Sequence, residues 1–287
     1  MEILHKPDDV HQWVRAQRRS GAVIGLVPTM GFFHDGHLSL MRLAAKHVDT
    51  VVVSLFVNPT QFGPNEDLDR YPRDFERDML MLRREEVAAV FVPRPELMYP
   101  PGFQTEVQVL HLTKNLCGRT RPNHFAGVAT VVTKLFNIVQ PDVAVFGEKD
   151  YQQLAVIRRM VADLNLPVRV IGGPIVREDD GLAMSSRNAN LDRSHRVSAL
   201  SLSTGLTLAR ELYQKGERDA AAIGAAVQRH ILSFPHTAID YVSLIDSKSL
   251  EPVQEADNDT RLALAVHIDG KVRLIDNGLL SKPPQER

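Results

Sequence analysis

Short β-branched runs alternate with segments whose apolar residues recur at spacings near three and four through the first 175 or so residues. This alternation predicts βα units that build a parallel sheet covered on both faces. Strands are expected at residues 23–27, 50–57, 88–92, 142–146 and 168–171, and amphipathic helices at 37–47, 73–85, 125–139 and 150–164. Mixed-sign charges on these helices are read as solvated faces. The apolar run from Val51 to Val57 is far shorter than the roughly 20 residues that cross a bilayer, so it is read as a buried strand.

After Pro174 the pattern changes. A polar loop runs through Arg177-Glu178-Asp179-Asp180-Gly181, a long helical stretch spans 191–215, and a second helix spans 218–232. Three strand-like runs follow at 240–245, 261–268 and 272–275. The expected organisation is an α/β, Rossmann-like parallel-sheet domain over residues 1–175 and a smaller α+β domain over 176–287, with a frayed tail at 281–287.

An apolar content of 44% with 24% charged residues fits a globular chain and excludes disorder, collagen and coiled coil. Lys and Arg number 34 against 35 Asp and Glu, so no global field is present to hold a nucleic acid. The one cysteine, Cys117, cannot form an internal disulfide. The N-terminal segment carries acids and a proline where an export signal needs basic residues and an apolar run. A cytoplasmic location without membrane attachment is expected.

Four loops carry candidate chemistry. The first predicted strand leads through Pro28-Thr29-Met30 into Gly31-Phe32-Phe33-His34-Asp35-Gly36-His37 at a helix start. Glycines allow close backbone approach, and the free N–H groups of a helix N-terminus favour anions such as phosphates. A turn that uses glycine for shape and histidine for capping is the alternative for this segment alone. No third metal-ligand residue is apparent beside His34 and His37, so no protein-held metal is expected there. The second strand leads into Asn58-Pro59-Thr60-Gln61-Phe62-Gly63, which shares the carboxyl end of the sheet and hence one crevice with the first loop. A third strand leads into Gly147-Glu148-Lys149-Asp150, where a lysine at a helix start opposes the dipole unless it faces an anion. The fourth segment, Met184-Ser185-Ser186-Arg187-Asn188, combines hydroxyls with a guanidinium suited to phosphate oxygens, although serines there serve equally as helix caps. The basic stretch Arg119 to His124 is read mainly as a solvated turn, Cys117 as an inert thiol, and Trp13, Met79 and Met81 as packing residues.

Taken together and in order, these four segments closely resemble the signatures of the pantothenate synthetase (pantoate-beta-alanine ligase) family, within the HxGH nucleotidyltransferase superfamily. The resemblance runs the length of the chain. It implies a Rossmann-like N-terminal domain, a C-terminal lid domain and a homodimer. It also implies a ligase that forms pantoyl adenylate from ATP, Mg²⁺ and (R)-pantoate, and then transfers the pantoyl group to β-alanine.

By resemblance, Met30, Gly31, Phe32, Phe33, His34, Asp35, Gly36 and His37 match the first ATP-binding segment. Gly147, Glu148, Lys149, Asp150, the backbone at Val176, and Met184, Ser185, Ser186 and Arg187 match the remaining ATP contacts. His37, with His34, Lys149 and Arg187, matches the catalytic set; Gln61 and Gln153 match the pantoate contacts, and Gln61 also the β-alanine position. Mg²⁺ is expected to travel on the ATP phosphates, with Asp78 as a candidate to orient it through water. Two departures from the family pattern stand out: Phe32-Phe33 occupies positions commonly held by a smaller or polar residue and Leu, and Asn123 one where Gly is frequent. The alternatives are an HxGH nucleotidyltransferase that acts on a phosphate acceptor, an aminoacyl-tRNA synthetase, and a non-catalytic nucleotide binder. The glutamines in place of basic residues argue against the first, and the lack of a basic surface or an anticodon-binding module against the second.

Overall fold

The computed structural model describes residues 1–64 and 66–282; Asn65 in the second loop and residues 283–287 of the expected frayed tail lie outside the described residues. Strand β1 (Glu2–Leu4) and helix α1 (Pro7–Arg19) open the chain. They are followed by β2 (Ile24–Thr29), α2 (Asp35–Ala45), β3 (Thr50–Leu55), α3 (Phe75–Arg84), β4 (Ala89–Phe91) and the short α4 (Pro95–Met98) and α5 (Cys117–Thr120). Next come α6 (His124–Val139), β5 (Val143–Gly147), α7 (Tyr151–Asp163) and β6 (Arg169–Gly173).

Strands β1 to β6 form one wholly parallel sheet in the order β1-β4-β3-β2-β5-β6. The inner strands β2, β3 and β5 are almost continuously buried, as expected of strands covered on both faces, whereas the edge strands β1 and β6 are half exposed. One core lies under α1, α6 and α7 with Trp13, Leu135, Phe136 and Ile157, and the other under α2 and α3 with Phe33, Met41, Met79 and Leu82. Helix α1 is bounded by clear local signals: Pro7 stands in its first turn with Asp8 and Asp9, and Arg18 and Arg19 stand in its last, a charge order that suits the helix dipole.

The strand order reverses at β2, which pairs with β3 from Ile24 to Thr29 but with β5 only at Gly25 and Leu26. Pro28 has no N–H to give and lies beyond the end of the β2–β5 ladder. The sheet therefore parts between the carboxyl ends of β2 and β5, at the switch point where open α/β sheets bind their ligands.

The remainder comprises α8 (Arg193–Ala199), α9 (Ser201–Gln214), α10 (Ala220–Leu232) and the antiparallel strands β7 (Thr237–Asp246), β8 (Thr260–Ile268) and β9 (Val272–Leu279), ordered β7-β8-β9. Its core joins Leu202, Leu206 and Ile223 to Leu262, Leu264 and Leu274. The single helix expected over 191–215 is instead two helices separated at Leu200, preceded by a 3₁₀ turn at Ser186–Asn190. Strand β9 continues past the expected 272–275 because its buried polar residues are paired: Asp276 accepts both guanidinium ends of Arg177, at 2.7 and 3.0 Å.

The chain divides into two compact units. The first comprises Met1–Thr113, Arg121–Glu148 and Gln153–Ile175; the second comprises Lys114–Thr120, Lys149–Gln152 and Val176–Arg287. Against the expected division into 1–175 and 176–287, two short segments change sides. Their hydrogen bonds explain why. Asn277 donates to the Lys149 carbonyl at 2.9 Å, Tyr151 donates to the Ser247 carbonyl at 2.8 Å, and Gln152 accepts from Cys117 N–H while donating to the Asn115 carbonyl.

Candidate active site

In the first unit the loop after β2 delivers a histidine pair to the start of α2. His34 is the N-cap residue, with extended backbone (φ −140°), and its carbonyl accepts the N–H groups of His37 and Leu38 at 2.8 and 3.2 Å. The helical spacing brings the His34 and His37 rings together, with centroids 4.0 Å apart. Phe33 meets the His37 ring edge-on at 5.6 Å and is completely buried, so its side chain packs against the histidine.

The loop is shaped by a residue of α3. Asp78, 1% exposed, accepts Phe32 N–H at 2.7 Å through one carboxylate oxygen and Phe33 N–H at 2.8 Å through the other. Phe32 is held at φ +52° and Gly31 at φ +81°, where an added Cβ would stand 2.9 Å from Asp78 Oδ2. Burial raises the Asp78 carboxyl above its ordinary pKa, outweighing the two N–H groups and Arg77 that favour its charge. With one oxygen on each of two backbone N–H groups, Asp78 fixes the shape of the loop.

Gln61 sits on a 3₁₀ turn (Pro59–Gln61) after β3. Its amide Nε2 donates to Met30 Sδ at 3.1 Å, which joins the first two sequence-predicted loops, and its Oε1 accepts from Asn58 at 3.2 Å. Buried Asn58 in turn accepts from the Tyr99 and Thr60 hydroxyls at 2.7 and 3.0 Å and donates to the Gly127 carbonyl of α6 at 3.2 Å. The fit is close: a Cβ on Gly127 would lie 2.5 Å from the Thr60 carbonyl oxygen and 2.8 Å from Gln61 N. From the other side His124 Nδ1 and Arg121 meet the Gln61 carbonyl, at 2.8 and 3.3 Å, and Arg121 pairs with Glu66 at 2.7 Å. The basic stretch read as a solvated turn thus contributes two side chains that brace Gln61. Asn123, at the head of α6, has φ +70°, the left-handed conformation that glycine adopts freely and asparagine tolerates better than most other residues.

In the same unit Gly147 ends β5 and Glu148 opens the 3₁₀ turn Glu148–Asp150, and Gln153 is half-buried in the first turn of α7. The other predicted residues belong to the second unit: Lys149, Asp150, Val176, Met184, Ser185, Ser186 and Arg187. There the Val176 carbonyl accepts Met184 N–H at 3.0 Å, and Ser185 caps the 3₁₀ turn by accepting Arg187 N–H at 3.3 Å. Asn188 donates to Glu178 and to the Ala183 carbonyl, at 2.6 and 3.1 Å, and Arg196 pairs with Asp180 at 2.7 Å. The segment is a built turn.

A parallel sheet that opens at its switch point, with an HxGH histidine pair at a helix N-terminus beside it, defines a Rossmann-like enzyme of the HxGH class. Known proteins narrow this class. The family model described as pantoate-beta-alanine ligase matches residues 2–279, so the chain belongs to that family and is a ligase. It is 56% identical over 280 residues to the pantothenate synthetase of Desulforapulum autotrophicum, covering 98% of this chain and 99% of that one. It is 54% identical over 282 residues to that of Geobacter sulfurreducens, again covering 98% and 99%. The crystal structure of pantothenate synthetase from Thermus thermophilus superposes with a TM-score of 0.93 at 43% identity, covering 98% of this chain and all of that one. Pantoate-beta-alanine ligase from Francisella tularensis, complexed with beta-gamma ATP and beta-alanine, superposes with a TM-score of 0.80 at 33% identity, covering 99% of this chain and all of that one.

Proposed function

We infer that this chain condenses (R)-pantoate with β-alanine at the expense of ATP, giving pantothenate, AMP and diphosphate through pantoyl adenylate. The observation that carries this reading is the family match over residues 2–279, with the His34–His37 pair and Gln61 gathered around one opened sheet end. The phosphate-acceptor alternative is not favoured by relatives of this identity.

In the first step a pantoate carboxylate oxygen attacks the α-phosphorus of ATP and diphosphate leaves. The carboxylate is already ionised near neutral pH, so the step needs alignment and charge neutralisation, and no general base. His37 and His34 meet the phosphates from the α2 terminus, and Lys149, Ser185 and Arg187 balance their charge. Met30 to His37, Gly147 to Asp150, the Val176 backbone and Met184 to Arg187 bind ATP. Gln61 and Gln153 hold pantoate. Mg²⁺ enters on the ATP phosphates as part of the substrate and supplies charge neutralisation there, with Asp78, whose oxygens also hold the loop amides, as the candidate to orient it through water.

In the second step the β-alanine nitrogen attacks the acyl carbon near Gln61, the bond to AMP breaks, and the amine gives up a proton. Water competes for the same mixed anhydride, so the C-terminal domain is assigned the part of a lid. A homodimer and a cytoplasmic location complete the proposal. Among the described residues no helix is long and apolar enough to cross a membrane.

The test is pyrophosphate exchange into ATP with Mg²⁺ present and β-alanine absent. Exchange that depends on (R)-pantoate is expected. Its absence, from folded protein that binds ATP, overturns the adenylate mechanism.

A further inference from the structure

The second unit gathers a set of metal-ligating side chains. His195 lies on α8, His236 immediately precedes β7, and Asp269 lies in the turn between β8 and β9. Their ligand atoms all fall within 4.8 Å of one another. The His195 and His236 rings are 4.9 Å apart between centroids, and His236 Nδ1 is 3.7 Å from Asp269 Oδ1. Two of the three positions are set by the sheet itself. Thr237 pairs with Ile268, and Asp269 N–H donates to the His236 carbonyl at 2.8 Å, so the ends of two antiparallel strands hold His236 and Asp269 side by side. Both residues have left-handed backbone, φ +59° and +52°. His195 is brought over them by a helix that packs on β8, with its side chain 15% exposed.

We propose that His195, His236 and Asp269 form a binding site for a divalent transition metal of the zinc class, separate from the adenylate chemistry. Two imidazoles and one carboxylate make a borderline nitrogen and oxygen donor set, which suits Zn²⁺ and disfavours Mg²⁺, an all-oxygen cation. Three protein ligands leave the remaining position to water. Ligands around one zinc, bonded at about 2.0–2.1 Å, stand roughly 3.4 Å apart, so the present separations close by side-chain rotation over about 1–1.5 Å. Lys271 Nζ lies 2.7 Å from Asp269, and binding exchanges this ammonium for the metal on the carboxylate. Asp192 Oδ2, 3.8 Å from His195 Nδ1, is a further carboxylate that favours positive charge here. A bound ion would tie α8, which follows directly on the Ser185–Arg187 turn, to the end of the β7-β8-β9 sheet.

The experiment titrates ZnCl₂ into the metal-stripped full chain, read by calorimetry and thermal melting, and repeats it with Co²⁺ to record visible absorption of the bound metal. Saturable binding with a raised melting midpoint is expected. His236→Ala and Asp269→Asn, each checked for native circular dichroism, are expected to weaken it by about tenfold or more. His37→Ala is expected to retain it with an unchanged Co²⁺ spectrum. Absence of binding, equal binding by both His236→Ala and Asp269→Asn, or loss of binding in folded His37→Ala overturns the assignment.

Discussion

Asp78 holds Phe33 through a 2.8 Å hydrogen bond from the buried amide to the carboxylate, and by that bond a residue of α3 sets the approach to the histidine helix. The other carboxylate oxygen holds Phe32 in the same way. Asp78→Ala leaves two amides without their acceptor and is expected to cost about 1–3 kcal/mol for each one that water does not reach. Asp78→Asn retains one good acceptor and is expected to lose less. Denaturant unfolding of the two variants against the parent checks the order.

His37→Ala is expected to lower the adenylation rate by roughly 10²- to 10³-fold while the ATP dissociation constant changes by only a few fold. Single-turnover formation of pantoyl adenylate, measured beside equilibrium ATP binding, separates the two quantities. Equal losses in both would remove the assigned role.

Gly127→Ala sets two effects against each other. In a helix interior alanine is favoured over glycine by about 1 kcal/mol. Here the new Cβ would stand 2.5 Å from a backbone carbonyl, which cannot rotate away. Overpacking of this kind costs about 1–3 kcal/mol, so net destabilisation is expected, together with a raised KM for pantoate as the Gln61 turn is displaced. The melting midpoint and the pantoate KM are the readouts.

The Arg121–Glu66 pair predicts an acid response. Burial pushes the Glu66 carboxyl up, but the Arg121 hydrogen bond and charge, the Gly63 amide and the His124 charge outweigh it, and the net shift is downward. Glu66 therefore stabilises the fold above its ordinary pKa, and that contribution is lost as the pH falls through the lowered value. The melting advantage of the parent over Glu66→Gln is expected to be full near neutral pH and to shrink below pH ~4.5. Melts across that range test it; an advantage independent of pH would refute it.

At Asn123 the left-handed backbone separates two conservative changes. Asn123→Gly is expected to be nearly neutral, whereas Asn123→Ala is expected to cost about 1 kcal/mol through its Cβ at φ +70°. Chemical denaturation distinguishes them.

The buried strands and long amphipathic helices were legible in the sequence because their periods are strong, and the four loops because they fall at strand ends. Other features have weak or nonlocal signals. β1 contributes just Glu2–Leu4 to the sheet, too few residues for a period. α1 carries its dipole-matched charges in plain view, but its apolar face is confined to Val10, Trp13 and Val14 among polar residues. The break at Leu200 interrupts a helical pattern without shifting its apolar spacing enough to show. The end of β9 contains Asp276 and Asn277, polar residues whose burial depends on partners far along the chain. Asp78 belongs with these. Its acidic neighbours mark a helix start, but nothing local says that its carboxylate closes the His34 loop. Likewise Arg121 and His124 look like a solvated turn until Gln61, distant in sequence, is beside them.

The all-parallel sheet also has a consequence for how the protein comes into being. No pair of its neighbouring strands can close as a hairpin, and the Ile24 amide meets the Asp142 carboxylate 118 residues further on. The histidine loop is therefore synthesised long before β5, the strand that completes its crevice. Refolding should show the nonlocal β2–β5 ladder forming late, as the cost of closing so long a stretch of chain requires. During synthesis the inner edge of β2 must wait unpaired, so a nascent chain halted before residue 143 is the form most exposed to aggregation.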